Sequence, residues 1–410
     1  MPGADPGGTT GAKIVVTGLG AITAFGWGVA PLWEGLREGT TAVGPITRFD
    51  ASLHRTRLAA EVPLALAPHG ARRATWADRF AVAAAEEATR QAGLTPAACA
   101  DAGVYFGSST GGMLESEAYY ATLIGPRARH ARPSLLVAQQ LNGPGDAVAR
   151  SLGTSGPVES VSSACASGSM AIGAALRALR RGDVELAIAG GSDSLCQLTY
   201  AGFNALRSVD ERACRPFRRD RAGLSIGEGA GVLVLESLAH ARARGAFPIA
   251  VLAGEGEACD AHHMTAPHPE GIGASAAISQ ALADAETDAA EIDFVNAHGT
   301  GTPHNDLAEA RAMHRVFGDR TGSIPVTSTK ALLGHLLGSA GAVEAVATVL
   351  GLVRREVHPM PVAGEPDEAI GLRLVLGRPL ALPRAIAALS TSLAFGGANA
   401  ALVFRCAEAA

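Results

Sequence analysis

Cys165 lies in the run Val161-Ser162-Ser163-Ala164-Cys165-Ala166-Ser167-Gly168, small residues just ahead of a segment with helical patterning. A thiol at a helix N-terminus meets the positive end of the macrodipole and unpaired backbone N–H groups. Both favour thiolate, the nucleophilic form of cysteine. The plain alternative is an inert buried thiol, and this segment alone leaves both open. The other five cysteines (Cys99, Cys196, Cys214, Cys259, Cys406) lack that setting, and no two cysteines have C-x-x-C spacing.

His298 ends a short apolar strand in Asn296-Ala297-His298-Gly299-Thr300-Gly301-Thr302-Pro303. Strand ends in α/β sheets are where sites form. The alternative is a core histidine satisfied by local backbone. Lys330 and His335 stand five apart in Ser328-Thr329-Lys330-Ala331-Leu332-Leu333-Gly334-His335. The chain has 34 basic residues, of which only Lys13 and Lys330 are lysine. A lysine kept here points to a need for a compact ammonium rather than a planar fork, or to chance. Glu344, nine residues after His335, is either its partner or a solvated helix carboxylate. Phe395, in Ala394-Phe395-Gly396-Gly397-Ala398-Asn399, is a packed anchor or a mobile gate. Asp306 and Glu309 read as structural or surface groups. His262, His263 and His268 lack Cys, Asp or Glu at ligand spacing, so no metal site is expected.

These residues need a scaffold that brings strand ends and helix starts together. The patterning alternates strand and helix. Strands are expected at 13–16, 103–106, 186–189, 232–235, 249–253, 292–295 and 324–326, with a closing hairpin of 385–389 and 401–404. Helices are expected at 76–92, 167–181, 239–244, 275–285 and 341–354. The second part repeats the plan of the first, with no Pro/Gly/Ser linker between them. The division is placed at 12–255, carrying the nucleophile, and 256–408, carrying the His/Lys/His motifs. Such alternation argues α/β with buried sheets covered by helices. Thr17-Gly18-Leu19-Gly20 reads as a turn after the first strand. Its third dinucleotide-fingerprint glycine would fall on Thr23, so nucleotide binding is set aside.

Composition excludes several classes. The 410 residues are 48% hydrophobic and 18% charged, which argues against global disorder. Aromatics are only 4%, so Ala, Val, Leu and Ile must build the core. The net charge of −5, without a long basic run, argues against nucleic acid. No run approaches 18 uninterrupted apolar residues, so no membrane span is expected. Met1 to Gly11 lacks an apolar h-region and does not read as a signal peptide. A reduced, cytoplasmic protein is the default.

Taken together and in this order, the motifs around Cys165, His298, Lys330, His335 and Phe395 resemble those of β-ketoacyl-acyl carrier protein synthases, most closely the type II elongating enzymes. Supporting stretches include Arg215-Pro216-Phe217, Gly227-Glu228-Gly229-Ala230-Gly231 and Asp260-Ala261-His262-His263-Met264-Thr265. The resemblance spans about residues 13 to 405. It implies a thiolase-like five-layer αβαβα sandwich of two similar halves, and a homodimer. It implies Cys165 as acyl acceptor, and His298 and His335 as the pair serving decarboxylation and condensation. Lys330, held by Glu344, would order that pair. The N–H groups of Cys165 and Phe395 would form the oxyanion hole, with the Phe395 ring as gate. Thr300 and Thr302 would bind the phosphopantetheine arm of an acyl carrier protein. Thr110, where the family commonly has Ile, and Phe203 would lie at the acyl pocket. No cofactor or metal is implied.

The sequence departs from the family at Ala398, where Thr is frequent, at Arg221-Ala222-Gly223-Leu224, usually Arg-Asp-Gly-Phe, and at Thr110. A pocket less apolar than in fatty-acid enzymes is the expectation drawn from these. A thiolase would carry a second reactive cysteine near Gly396-Gly397. A starter-type synthase typically replaces one histidine by Asn. A non-catalytic chain-length partner usually lacks the cysteine, although this chain would still suit the active half of a heterodimer. A papain-like hydrolase needs a different Cys–His arrangement. Scattered arginines, among them Arg177, Arg180, Arg181, Arg218 and Arg219, are candidates for docking an acidic carrier.

Overall fold

The computed structural model describes residues 12–66, 74–126 and 128–407. Met1 to Gly11, read above for a signal segment, lie outside these. The first half forms a five-stranded arrangement in the spatial order Ile14–Thr23, Gly229–Ser237, Leu186–Asp193, Gly103–Gly107, Val158–Val161. The second half repeats it as Ala250–Cys259, Ala398–Cys406, Ala387–Leu393, Ile292–Asn296, Pro325–Thr327. Numbered along the chain, both run 1-5-4-2-3. In both, the first two spatial pairs are antiparallel and the next two after the shared fourth strand are parallel. The halves join edge to edge where Ile14, Val15 and Val16 pair antiparallel with Leu252, Val251 and Ala250. The repeat unit therefore starts at Ala250, and a boundary after residue 255 falls inside the strand Ala250–Cys259.

The helices Ser167–Arg181 and Ala340–Arg354 lie between the two sheets. Trp76–Gln91 and Gly143–Leu152 cover the outer face of the first sheet, and Ile272–Asp284 and Pro303–Phe317 that of the second. The result is the five-layer αβαβα sandwich of the thiolase-like fold. Alternation along each strand divides the core as the pleat requires. Val104 and Phe106 join the outer cluster, whereas Tyr105 joins the central one. Ala340–Arg354 is buried from Ala340 to Leu352, so its apolar sequence is a core helix. It belongs to Leu337–Arg354, the one stretch among the described residues apolar and long enough to cross a membrane, 89% of which is buried inside the fold.

The first strand corrects the sequence reading. It does not turn at Thr17 but continues to Thr23, with an irregularity in register between Val16 and Gly18. Gly18 and Gly20 are there for helix packing. A Cβ on Gly20 would sit 1.8 Å from the carbonyl oxygen of Ala84, and one on Gly18 2.0 Å from that of Ala88. The second half repeats the device: the register shifts between Leu252 and Gly254, and a Cβ on Gly256 would sit 2.2 Å from the Ala277 oxygen. The paired Gly-x-Gly at 18–20 and 254–256 was the available sequence sign of the duplication. The helices at 29–38, 113–123, 143–152, 197–205 and 303–317 and the strand at 158–161 were not anticipated.

Candidate active site

Cys165 stands where the edge strand Val158–Val161 turns into the central helix. The turn Ala164–Ala166 forces Ala164 to φ 45°, the left-handed region that favours glycine. Ser167 pins this elbow: its Oγ accepts from the Ser163 N–H at 2.9 Å and donates to the Ala164 carbonyl at 2.6 Å. The second half has the same elbow at Leu337, φ 55°, before Ala340–Arg354. There His335 precedes the turn, and its Nδ1 accepts the Leu337 N–H at 3.1 Å.

That last bond decides a proton. With Nδ1 an acceptor, the neutral His335 ring carries its hydrogen on Nε2. Nε2 is buried and without a partner among the described residues. His298 arrives at the same state by another route. Its Nδ1 lies 3.1 Å from Lys330 Nζ, which has protons to donate and no lone pair to offer, so Nε2 again bears the hydrogen. The rings meet edge to face, centroids 5.3 Å apart. Cys165 Sγ and ring nitrogens of both histidines lie within 4.8 Å of one another. They are the one His/Cys/Asp/Glu group among the described residues with donor atoms close enough to hold a metal ion. Yet both Nε2 atoms present N–H rather than a lone pair.

Burial holds both imidazoles well below the ordinary value of 6.5, and the Lys330 ammonium adds to it, with His335 itself a further contribution at His298. They are neutral donors at neutral pH. A reaction relying on imidazolium would accelerate as pH falls through 6.5. These neutral donors predict instead that CO2 release from a malonyl carrier thioester stays flat from pH 7.5 to below 6. A step centred near 6.5 in that profile would contradict the assignment.

The thiol departs from the sequence expectation. Burial pushes Cys165 up to about 11, against the opposing pull of Lys330 and of the backbone N–H groups of Phe395 and Cys165. The helix-start argument identified the favourable contributions but not the burial that outweighs them. The same two backbone N–H groups, of Phe395 and Cys165, lie close enough to the sulfur to pull its acidity the other way.

Lys330 and Glu344 are fully buried and form an ion pair. Thr329 Oγ1 adds a contact to Glu344 at 3.4 Å. Behind His298, Glu309 accepts the N–H groups of His298 at 2.7 Å and Gly299 at 2.8 Å and the Thr391 hydroxyl at 2.7 Å. Burial pushes Glu309 up to about 7. Asp306 takes the N–H of Phe217 and of Gly301. Both carboxylates are structural, as the sequence indicated, but they are buried and brace the His298 loop.

Thr300 and Thr302, hydroxyl to hydroxyl at 2.9 Å, line a cavity of about 340 Å³ together with Cys165, His298, His335 and Phe395. Phe203 also lines it and stacks at a tilt on Phe395, centroids 5.6 Å apart. Leu224, His304 and Asp260, not singled out as site residues from sequence, are also part of its wall. Asp260 and Asn399 fix the Phe395 loop: Asn399 Nδ2 donates to Asp260 Oδ1 at 3.0 Å and to the Gly397 carbonyl at 2.9 Å.

Thr110 lies elsewhere. It is buried, its hydroxyl 3.0 Å from Asp193 Oδ1 and 3.3 Å from the Ser194 carbonyl, and it does not line this cavity. Asp193 is the residue sequence reasoning undervalued. Fully buried, it accepts from Ser108, Ser109, Thr110, Gly111 and Gly338, tying the 108–111 turn to the second elbow. Of the arginines considered for docking, Arg218 is buried and spends its guanidinium on the carbonyls of Ala363 and Pro361. A larger recess of about 700 Å³ at the seam of the halves contains ion pairs such as Arg180–Asp284 and Arg405–Glu291.

Residues 12–241 match the family model of the β-ketoacyl synthase N-terminal domain, and residues 249–362 that of its C-terminal domain. The chain is 39% identical over 407 residues to the 3-oxoacyl-[acyl-carrier-protein] synthase 2 of Synechocystis sp., covering 96% of this chain and 98% of that one. Among solved structures it is similar to the ishigamide ketosynthase/chain length factor, with TM-score 0.91, 34% identity and coverage of 97% and 100%. It is also similar to AntDE:AntF, a type II polyketide acyl-carrier protein in complex with its ketosynthase bound to the hexaketide, with TM-score 0.88, 29% identity and the same coverage. With both of its halves matched by the family models and a full-length relative at 39% identity, the chain belongs to the β-ketoacyl synthase family.

Proposed function

We propose that the chain is a decarboxylating β-ketoacyl-acyl carrier protein synthase that uses Cys165 as acyl acceptor. The observation carrying this reading is that the Nε2–H donors of two neutral histidines, each fixed from behind, converge near one thiol. An acyl thioester on a carrier exchanges with Cys165: the acyl–sulfur bond to pantetheine breaks, one to Cys165 forms, and the thiol proton passes to the departing pantetheine sulfur. Malonyl thioester then enters and its carboxylate leaves as CO2. The electron pair left behind becomes an enolate, and His298 and His335 hydrogen-bond to its oxygen. The enolate carbon attacks the acyl carbon. The resulting oxyanion sits between the N–H groups of Cys165 and Phe395 before the Cys165 sulfur departs. Thr300 and Thr302 hold the pantetheine arm, and the Phe395–Phe203 pair gates the acyl side.

The test is the mass of the intact protein after incubation with an acyl carrier thioester. An acyl adduct on Cys165, absent from Cys165→Ala, is expected. An adduct that persists in the alanine variant, or none in the native chain, would refute the reading. Six free thiols among the described residues fit a reducing compartment, which supports placing the protein in the cytoplasm. A second reading, a ketosynthase subunit paired with a chain-length partner, is favoured by the similarity to the ketosynthase/chain length factor structure.

A further inference from the structure

Arg218 is a buried charge without a counter-charge of its own. Only 2% of the residue is exposed. Its Nε donates to the Ala363 carbonyl and its Nη2 to the Pro361 carbonyl, both at 3.0 Å. Its Nη1 is buried and has no partner among the described residues. The neighbouring arginines show the contrast: Arg215 pairs with Asp210 at 2.8 Å and Arg221 with Asp367 at 2.6 Å. Asp220, whose charge acts on Arg218, is taken up by Arg212 at 3.1 Å and Arg215 at 3.4 Å. A lysine or histidine in this position could shed its proton, but a guanidinium cannot. A buried charge left in this way is costly unless something of opposite sign meets it.

Arg218 also lines a cavity of about 10 Å³, with Cys214, Arg215, Pro216, Ala331 and Met360 among its walls. That size admits one atom-sized species and excludes phosphate, sulfate and carboxylates. The chemistry of the walls narrows the choice. A buried water needs two to four polar partners and works best where it can both donate and accept. The side chains here present guanidinium N–H groups, a thiol and apolar carbon, with no carboxylate, hydroxyl or amide oxygen. The thiol is itself spoken for, since Cys214 Sγ donates to the Lys330 carbonyl at 2.9 Å. Met360 supplies a soft, adaptable wall.

We infer that this cavity binds a halide-sized monovalent anion, chloride under physiological conditions, which accepts from Arg218 Nη1 and supplies its missing counter-charge. The ion stands against Ala331, next in sequence to the lysine that holds His298, so it braces the Lys330 turn from the side away from the histidines. The site is separate from the Cys165 cavity, and the inference does not depend on the ketosynthase reading.

The experiment uses the full chain, prepared free of halide. Thermal melts are followed on addition of sodium chloride, sodium bromide or sodium sulfate at matched ionic strength, in the native chain and in Arg218→Met, which removes the charge at similar length. Sulfate strengthens burial by exclusion from the whole surface and should act alike on both. Chloride and bromide should add a saturating rise of about 1–3 °C in the native chain only. Crystals grown in bromide should show an anomalous peak beside Arg218 Nη1, and this map decides alone if Arg218→Met does not fold. Water in the cavity of bromide-grown crystals, or a halide response that Arg218→Met retains, would each overturn the inference.

Discussion

His335→Ala and His298→Ala should each slow CO2 release from a malonyl carrier thioester by about 10²–10³-fold, because each removes one donor from the developing enolate oxygen. That corresponds to about 2.7–4 kcal/mol of barrier. Neither ring has a substitute nearby. His335 Nε2 has no other partner among the described residues, and the other buried imidazole, His358, belongs to the Thr327 region. The two donors act on one oxygen, so the double variant should lose less than the product of the single losses. Acylation of Cys165 should survive in both single variants, since the N–H groups of Cys165 and Phe395 remain. Measuring CO2 release beside the intact mass separates the two steps. Release unchanged in both variants would remove the histidines from the mechanism.

Lys330→Ala should produce the largest combined loss of stability and rate. Glu344 would be left as a buried carboxylate without its ammonium, and breaking a buried pair by one partner costs about 3–5 kcal/mol. His298 would lose the donor that holds its Nδ1, so the ring would no longer be fixed with Nε2–H toward the substrate. A fall of about 10² in decarboxylation is expected, the worth of one positioned donor. Lys330→Ala combined with Glu344→Ala separates the effects. Denaturant midpoints should recover part of the lost stability, while the rate stays low. If rate returned with stability, Lys330 would be a fold element only.

The sequence made visible those features that local chemistry sets. Ser167–Arg181 was read at its observed ends because small residues on its packing face mark it. The cysteine ahead of it stood out for the same reason. What stayed hidden depends on partners far along the chain. Gly18 and Gly20 look like a turn until the helix 76–91 is laid across them. Glu309 and Asp193 look like ordinary carboxylates until three residues elsewhere in the chain donate to the first and five to the second. The acidity of Cys165 was argued from its helix, but its surroundings set the outcome, and burial is a property of the whole fold. The histidine tautomers needed a backbone N–H two residues away in one case and an ammonium 32 residues away in the other.

The two elbows, at Ala164 and Leu337, began as equivalent corners of a doubled design, yet they now hold unlike tools. One keeps the sulfur; the other keeps a proton donor and, through Gly338, a tether to the opposite half. Neither half owns a working centre. Chain cut in the connection between residues 244 and 249 would yield two pieces with complete sheets and no turnover, and activity would return only on reassembly. Drift in either duplicate is thus restrained by the other, because every ångström of displacement at the seam is felt where the acyl carbon must be met.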